Sequence, residues 1–255
     1  MTLLNPRDLE RYSRQLPLFG EAGQECLKKA HIFIAGAGGL GSPVSLYLAV
    51  AGLGSLTIAD MDAVDLSNLN RQILHSNKDI GKRKTVSATE TLEAFNPDLT
   101  IHAIDTRINQ DNVSGLVGDA DGIVDATDNF QTRYILNRVA IEKGIPFFHG
   151  AVRGFHGQVS TIVPGKGPCL ACIFPRAPPE ETTPVIGATA GVIGAFQATE
   201  VIKYLTKSGQ LLCGRLLVWD GLAAIAEEIA IERSPACVIC NEIRSGNGVE
   251  KEDRK

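Results

Sequence analysis

The sequence predicts an α/β fold built on a Rossmann-like, doubly wound sheet. Short apolar runs alternate with helical patterns between residues 31 and 144, and a glycine-rich turn separates the first strand from its helix. Such alternation implies right-handed crossovers and a parallel sheet. In the second half, consecutive strands follow one another without a helix between them, so we expect antiparallel strands to extend the sheet.

The first half opens with HIFIAGAG (31–38), an apolar strand that runs into the glycine turn. Ser42 is placed to cap the helix that follows, Pro43 fits its first turn, and Gly52 ends it. The remaining elements predicted for this half are strands over 55–60, 99–105 and 121–128, and helices over 82–95, 111–117 and 131–144.

The second half is predicted to contain strands over 145–152, 157–165 and 213–221, and a long buried helix over 185–205. Residues 222–233 fit a helix by propensity, whereas Ile229, Ile231 and Arg233 would alternate in a strand, so both alternatives stay open. We expect one domain over 1–240, divided into halves 1–144 and 145–240. The polar segment 241–255 has no apolar face and is predicted to be a disordered tail.

Composition narrows the function classes. The 255 residues are 44% hydrophobic and 21% charged, which is typical of a globular protein in water. A net charge of −4 argues against a nucleic-acid partner held by a positive field. The sequence has neither a membrane-length apolar run nor a signal peptide, so we expect no membrane association and a cytoplasmic location. In the reducing cytoplasm, cysteine pairs are interpreted as metal ligands before disulfides.

A glycine fingerprint, Gly36-x-Gly38-x-x-Gly41, lies between the first predicted strand and helix. Glycines let backbone approach a phosphate, and the helix N-terminus adds unpaired amides and partial positive charge. Asp60 ends the next strand, where an acid can bind ribose hydroxyls. With strand, helix and acid all in place, the pattern predicts that this half binds an adenosine nucleotide.

Polar residues beyond Asp60 favour a triphosphate over a dinucleotide. Asp62, Asn68 and Arg71 lie in a polar loop and Lys84 begins a helix, so two cations would lie near the phosphate site. Asp128, within Thr127-Asp128-Asn129, follows a strand ending at the same sheet edge and could hold magnesium. The alternative is that Arg71 and Lys84 form surface ion pairs and Asp128 caps the helix at 131.

Two C-x-x-C pairs, Cys169/Cys172 and Cys237/Cys240, provide the four thiolates of a structural zinc site. The pairs have 64 residues between them, so the fold must bring them together. A closed four-thiolate site leaves no open position for a substrate, and we therefore expect a structural metal. The five histidines show no ligand spacing, and no role is assigned to them.

These motifs resemble the MoeB/ThiF/HesA family, the ubiquitin-activating-enzyme-like adenylyltransferases. The resemblance spans about residues 8–240 and keeps the order and spacing of the motifs. It rests on RYSRQ (11–15), GAGGLG (36–41), Asp60 with Asp62, SNLNRQ (67–72), Lys84, TDN (127–129) and the two cysteine pairs.

The resemblance implies ATP-dependent adenylation of the C-terminal Gly-Gly carboxylate of a small ubiquitin-like sulfur carrier, of the MoaD or ThiS type, for molybdopterin, thiamine or related biosynthesis. A sulfur donor protein would then form the thiocarboxylate, and residues 145–240 would bind the carrier. By the same resemblance, the residues that contact the nucleotide, its phosphates or magnesium are Gly36, Gly38, Gly39, Gly41, Asp60, Asp62, Asn68, Arg71, Gln72, Lys84, Asp128 and Asn129.

Arg14 and the loop 175–191 carry the remaining expectations. In the family, Arg14 reaches across a two-fold axis into the neighbour's ATP site, which implies a homodimer; from sequence alone it is a solvated charge on an N-terminal amphipathic helix. The family commonly has a cysteine for thioester or persulfide chemistry before the long second-half helix, but 175–191 contains none. We therefore expect adenylation only. The alternatives are an NAD-dependent oxidoreductase and a non-catalytic, ATP-binding dimeric scaffold.

Overall fold

A computed structural model describes residues 3–178 and 184–240, and its strands form one mixed, eight-stranded sheet. The strands are β1 (His31–Ala35), β2 (Ser55–Asp60), β3 (Thr100–Asp105), β4 (Gly122–Asp125), β5 (Phe147–Arg153), β6 (His156–Ile162), β7 (Arg215–Asp220) and β8 (Ile225–Ala230). The helices are α1 (Pro6–Arg11), α2 (Leu16–Lys29), α3 (Gly41–Val50), α4 (Lys84–Phe95), α5 (Val113–Val117), α6 (Phe130–Lys143), α7 (Leu170–Ile173) and α8 (Gly187–Thr206).

The strand order is β3-β2-β1-β4-β5-β6-β7-β8. Strands β1 to β5 are joined by parallel pairings, and β6, β7 and β8 continue the sheet through antiparallel pairings. The predicted doubly wound sheet with an antiparallel extension is confirmed. Residues 225–230 form a strand, because β8 pairs along its whole length with β7, and this tertiary pairing decides what local propensity left open.

Helices cover the parallel part of the sheet on both faces. Strands β1, β2 and β4 are buried almost throughout, as expected where crossover helices lie on either side. One core cluster contains Leu48 of α3, Leu92 of α4 and Val201 of α8, and a second contains Leu136 of α6 with Phe147 of β5. Two layers of helices therefore hold the strand ends in fixed positions.

The start of α3 differs from the prediction. Ser42 is the second residue of the helix rather than its cap, and its buried Oγ lacks a hydrogen-bond partner in the described part of the chain. The reason lies in the preceding turn: a Cβ on Gly41 would overlap the carbonyl oxygen of Gly36. Because the turn closes so tightly, the helix begins at Gly41 and its first amides face the glycine turn.

The position of Arg14 differs from the sequence prediction. Arg14 lies in the turn between α1 and α2, so its predicted place on an amphipathic helix is wrong, because α1 ends at Arg11 and α2 begins only at Leu16. The predicted tail, 241–255, and part of the loop 175–191 lie outside the described residues.

Within residues 3–178 and 184–240, no helix combines the length and apolarity that a bilayer crossing requires.

Candidate nucleotide site and cysteine cluster

The glycine turn lies where the strand order reverses. Strand β1 has β2 on one side and β4 on the other, and ligands of doubly wound sheets bind beyond the carboxyl ends of strands at such a switch point. The turn follows β1, Asp60 ends β2 and Asp125 ends β4. The three chain segments that sequence analysis selected therefore meet at one edge of the sheet.

Two kinds of glycine form the turn. Gly36 has φ +104°, and a Cβ there would lie 2.8 Å from the carbonyl oxygen of Ala126, so packing within the chain requires glycine. At Gly38 and Gly39, by contrast, the nearest atoms to a Cβ would lie 3.6 and 3.5 Å away. Packing within the chain does not require glycine at these two positions, and their bare backbone suits a ligand that approaches closely.

Asp60 and His75 hold the turn through the peptide groups of Ala37. The Ala37 N–H donates to Asp60 Oδ2 at 2.8 Å, and His75 Nε2 donates to the Ala37 carbonyl at 3.0 Å. Ser87 Oγ lies 2.9 Å from His75 Nδ1. Burial, helped by the positive charge of Lys84, lowers the pKa of His75, so the imidazole is neutral at pH 7. Sequence analysis missed His75 because only the fold brings it under the turn.

The polar loop after β2 packs beside the turn. Asn68 Oδ1 accepts from the Asp65 N–H at 3.2 Å, and both hydrogen bonds that Arg71 Nη1 donates go to uncharged oxygens, at 2.9 and 3.0 Å. Gln72 is buried, its Nε2 lies 3.6 Å from where a Cβ on Gly38 would be, and its Oε1 lacks a partner among the described residues. An orphaned buried amide beside bare glycines fits a site that a nucleotide completes.

Lys84 forms an ion pair inside this region. Its Nζ lies 2.8 Å from Asp62 Oδ2, with the lysine side chain 6% exposed and the aspartate side chain 54% exposed. The structure therefore does not support the alternative of a surface pair for Lys84. A buried ammonium held by one half-exposed carboxylate is positioned to take a second anion.

The Thr127–Asn129 loop adds a free carboxylate to the same edge. Asn129 Oδ1 accepts from the Thr132 N–H at 2.9 Å and caps α6, so the alternative in which Asp128 is the cap is wrong. Asp128 is exposed, and Asn129 Nδ2 reaches its Oδ1 at 3.5 Å. An exposed aspartate beside the glycine turn has the oxygen chemistry that magnesium prefers.

Arg14 does not join these residues within one chain. It is exposed, and the neighbouring Gln15 donates to the carbonyl of Ala51, just past the C-terminal end of α3. The glycine turn lies at the opposite end of that ten-residue helix, about 15 Å away. Any role for Arg14 at a nucleotide site would therefore concern a second copy of the chain.

A buried network under the Thr127–Asn129 loop was missed by sequence analysis. The Asp125 carboxylate lies 2.8 Å from His149 Nδ1 and 3.3 Å from Arg133 Nε, and all three side chains are buried. The available signal was weak: an aspartate at a strand end, three residues before Asp128. The histidine and the arginine are distant in sequence from it and meet it only when β5 and α6 pack together.

The four cysteines of the two C-x-x-C pairs come together as predicted. Their Sγ atoms lie within 4.8 Å of one another, and three of the pairwise distances are 3.6, 3.7 and 4.0 Å. Four sulfurs about 2.3 Å from a tetrahedral metal would be about 3.8 Å apart, so the donor set and its spacing fit such an ion. Burial raises the pKa of the Cys169 thiol, so a metal that binds there would have to displace its proton.

Comparison with known proteins identifies relatives over nearly the whole length. The chain is 41% identical to the SAMP-activating enzyme E1 of Haloferax volcanii over 251 residues, covering 95% of this chain and 93% of that protein. It is 39% identical to a sulfur carrier protein adenylyltransferase of Thermus thermophilus over 248 residues, covering 92% of each. It also matches the adenylyltransferase and sulfurtransferase MOCS3 of Dictyostelium discoideum at 39% identity, covering 94% of this chain and 59% of that protein.

A solved structure has the same fold. The crystal structure of E. coli MccB with ATP superposes with a TM-score of 0.80 at 26% identity, covering 92% of this chain and 75% of that chain. Residues 12–239 match the ThiF family, and this range includes the glycine turn, the Thr127–Asn129 loop and three of the four clustered cysteines. The chain therefore belongs to the ThiF family and is an adenylyltransferase.

Proposed function

We propose that this enzyme uses ATP to adenylate the C-terminal Gly-Gly carboxylate of a ubiquitin-like sulfur carrier. The observation that carries the proposal is the glycine turn at the switch point, with bare backbone at Gly38 and Gly39 and, beside it, Arg71 and a Gln72 Oε1 that has no partner within the described residues. The printed names of the relatives, which refer to sulfur carriers and SAMP activation, support the same substrate class. A sulfur donor protein would then convert the acyl-adenylate to a thiocarboxylate.

Different residues of the site would bind different parts of ATP. The turn Gly36–Gly41 and the N-terminus of α3 would take the phosphates, Asp60 the ribose, and Asn68, Gln72 and Asn129 further polar contacts. Asp62 holds Lys84 in place, since the two side chains are 2.8 Å apart. The unsatisfied Gln72 Oε1 gains a partner when the nucleotide is bound.

The reaction needs charge neutralisation more than covalent chemistry by the protein. A carboxylate oxygen of the carrier forms a bond to the α-phosphorus, and the bond from that phosphorus to the bridging oxygen breaks. Pyrophosphate leaves with the electron pair of the broken bond. Arg71, which lies beside Gly39, and Lys84, which is held by Asp62, would stabilise the negative charge that moves onto the leaving group.

Two metals complete the proposal. Asp128 would hold magnesium, which supplies charge neutralisation to the phosphates when it is bound. The cluster Cys169, Cys172, Cys237 and Cys240 would hold zinc, because four thiolates at these spacings form its closed structural site. Zinc would fix residues 145–240, the half that we assign to carrier binding.

We propose a homodimer in which Arg14 acts on the partner's nucleotide site. The family resemblance supports this proposal. The position of Arg14 supports it too, because Arg14 is exposed beyond the far end of α3, away from the glycine turn of its own chain. Equal amounts of Arg14→Ala and Lys84→Ala enzyme, allowed to exchange subunits, should recover about a quarter of wild-type activity, since half of the random dimers carry one intact site. If mixing restores nothing, Arg14 does not act across the interface.

The test of function is ATP–pyrophosphate exchange with magnesium, using a panel of Gly-Gly-ended carriers one at a time. Exchange should depend on one carrier, and Lys84→Ala should lower it by at least about 100-fold while the fold stays intact. Full activity of Lys84→Ala would refute the assignment. An NAD-dependent oxidoreductase would bind NAD without needing Arg71. A scaffold would bind ATP without exchange, and the absence of a cysteine from 175–191 keeps this alternative open.

A further inference from the structure

The side chain of Asp125, at the end of β4, is buried at a cost in free energy. Asp125 is fully buried, and burying a carboxylate is unfavourable unless other groups pair with it. Three segments supply those partners: β5 through His149 Nδ1 at 2.8 Å, α6 through Arg133 Nε at 3.3 Å, and the loop through Thr127 Oγ1 at 2.7 Å. The acid therefore ties a helix and a strand to the loop that precedes Asp128.

Thr127 is held from two sides. Its hydroxyl and its N–H both donate to Asp125 Oδ1, at 2.7 and 3.2 Å, and its carbonyl oxygen accepts from Arg133 Nη2 at 2.7 Å. Every polar group of this residue is thus bonded to a side chain of a regular element. A loop residue fixed in this way cannot change its backbone dihedral angles without breaking one of these hydrogen bonds.

The residue on the other side of Asp128 is fixed as well. Asn129 caps α6 by accepting from the Thr132 N–H at 2.9 Å. The exposed Asp128 therefore lies between two anchored residues. A metal-binding carboxylate has to be held within about 0.5 Å of its productive position, which a free loop does not provide.

The protonation states of Asp125 and His149 agree with these contacts. Although burial opposes it, attraction to Arg133 and the hydrogen bond from His149 keep the pKa of Asp125 below its ordinary value. Burial, with the charge of Arg133, lowers the pKa of His149, so the ring is neutral and donates from Nδ1. Its Nε2 lies 3.4 Å from Gln158 Nε2, and the rings of Phe147 and Phe174 pack against it.

We propose that Asp125, Arg133 and His149 are positioning residues, which fix Thr127 and thereby orient the Asp128 carboxylate toward the magnesium of bound ATP. The inference rests on the proposed function, in which Asp128 is a magnesium ligand. It differs from a purely structural role because it predicts a defect that appears only when magnesium is present.

The test removes one hydroxyl and compares it with a matched control. Thr127→Val deletes the hydroxyl that donates to Asp125, and Thr161→Val deletes a buried hydroxyl that donates to another buried carboxylate, Glu200, at 2.6 Å. Thr127→Ser keeps the hydroxyl, and Asp128→Asn marks the effect of losing the magnesium ligand. For each protein the rise in Tm caused by ATP is measured with and without magnesium, relative to its own ligand-free Tm.

Thr127→Val should weaken the magnesium-dependent affinity for ATP by about 10-fold or more, as loss of a ligand's supporting contact does in other metal sites. Its magnesium-free affinity should stay unchanged, Thr127→Ser should restore the wild-type response, and Thr161→Val should lower Tm without changing either affinity. These readouts need no carrier and no turnover.

If Thr127→Val behaves like Thr161→Val while Asp128→Asn loses the magnesium effect, the positioning role alone is overturned. If Asp128→Asn also responds like wild type, the inference fails together with the role of Asp128. A complete absence of pyrophosphate exchange would refute the proposed function separately, because the thermal measurement does not depend on it.

Discussion

The parallel and antiparallel parts of the sheet differ in how they are covered. Strands β1, β2 and β4 are buried almost throughout, because each parallel crossover places a helix on a face of the sheet. Strand β8 is exposed along its full length, and β7 is only half covered. The β5–β6 and β7–β8 connections are short turns, and α8, which lies between β6 and β7 in the chain, packs on β5 and β6.

The two parts therefore reach stability by different means. The parallel part is stabilised by apolar burial, and its glycine turn is held by hydrogen bonds from Asp60 and His75. The antiparallel part has a smaller apolar cluster, which includes Val159 of β6 and Leu217 of β7, and a metal held by the four cysteines would tie the region after β8 to α7. Its open faces leave room for the carrier that we propose binds there.

The largest effect is expected from the cysteine cluster. Cys172→Ser should release the metal and lower the free energy of unfolding by about 5 kcal/mol or more, because structural zinc contributes about 10–16 kcal/mol in small zinc domains. Metal content and urea unfolding measure the two consequences. Cys213→Ser, outside the cluster, is the control and should keep its metal; equal stability of the two variants would show that the antiparallel part does not depend on the cluster.

A smaller effect should separate the centre of the sheet from its edge. Phe148 is fully buried on β5, whereas Ile229 on β8 is 49% exposed. Phe148→Ala should cost about 3–5 kcal/mol, since it removes buried area and leaves a cavity. Ile229→Ala should cost less than about 0.5 kcal/mol. Urea unfolding of both variants tests the comparison, and a large loss for Ile229→Ala in the isolated protein would contradict it.

The smallest effect concerns pH. Burial lowers the pKa values of His75 and His149 in the folded protein, so the unfolded chain binds more protons below its ordinary histidine pKa of 6.5. The contribution of these two histidines to the free energy of unfolding should therefore be complete above about pH 6.5 and decline as pH falls below that value. The lowered carboxylate pKa values of Asp79 and Asp125 act only below about pH 4, outside this window.

Urea unfolding between pH 7 and 5 measures this decline. His75→Gln, in the parallel part, and His149→Gln, at the boundary of the two parts, should each flatten the slope. His102→Gln on the exposed edge strand β3 is the matched control for replacing a histidine. An unchanged slope in both buried variants would mean that neither imidazole is kept neutral by the fold.

Much of the fold was predictable because its signals are local. Apolar runs, helix periodicity and the glycine turn are read within a few residues, and they define β1 to β7 and the helices α3, α4, α6 and α8; α2 was not predicted. Strand β8 was not predictable, because its pairing with β7 decides between two local preferences. Ser42 was misassigned because close packing of Gly41 on Gly36 starts the helix earlier than a serine cap would.

The candidate site was predictable where residue type and spacing carry chemistry. The four cysteines and the residues of the glycine turn fall into this class, and the structure places each set together. His75 and His149 are buried groups whose partners lie far away in sequence, and Arg133 meets Asp125 only when α6 packs beside β4, so these contacts exist only after folding. The nucleotide roles of Asp60, Asn68, Gln72 and Asn129 stay predictions.

The distance between the two cysteine pairs also sets an order of events during synthesis. Cys169 and Cys172 leave the ribosome first, and the second pair follows after 64 further residues. At about 5–20 residues per second, roughly 3–13 s pass before Cys240 is added. During that interval the first pair lacks its two partner thiols, so a four-thiolate metal site can form only after Cys240 has been added.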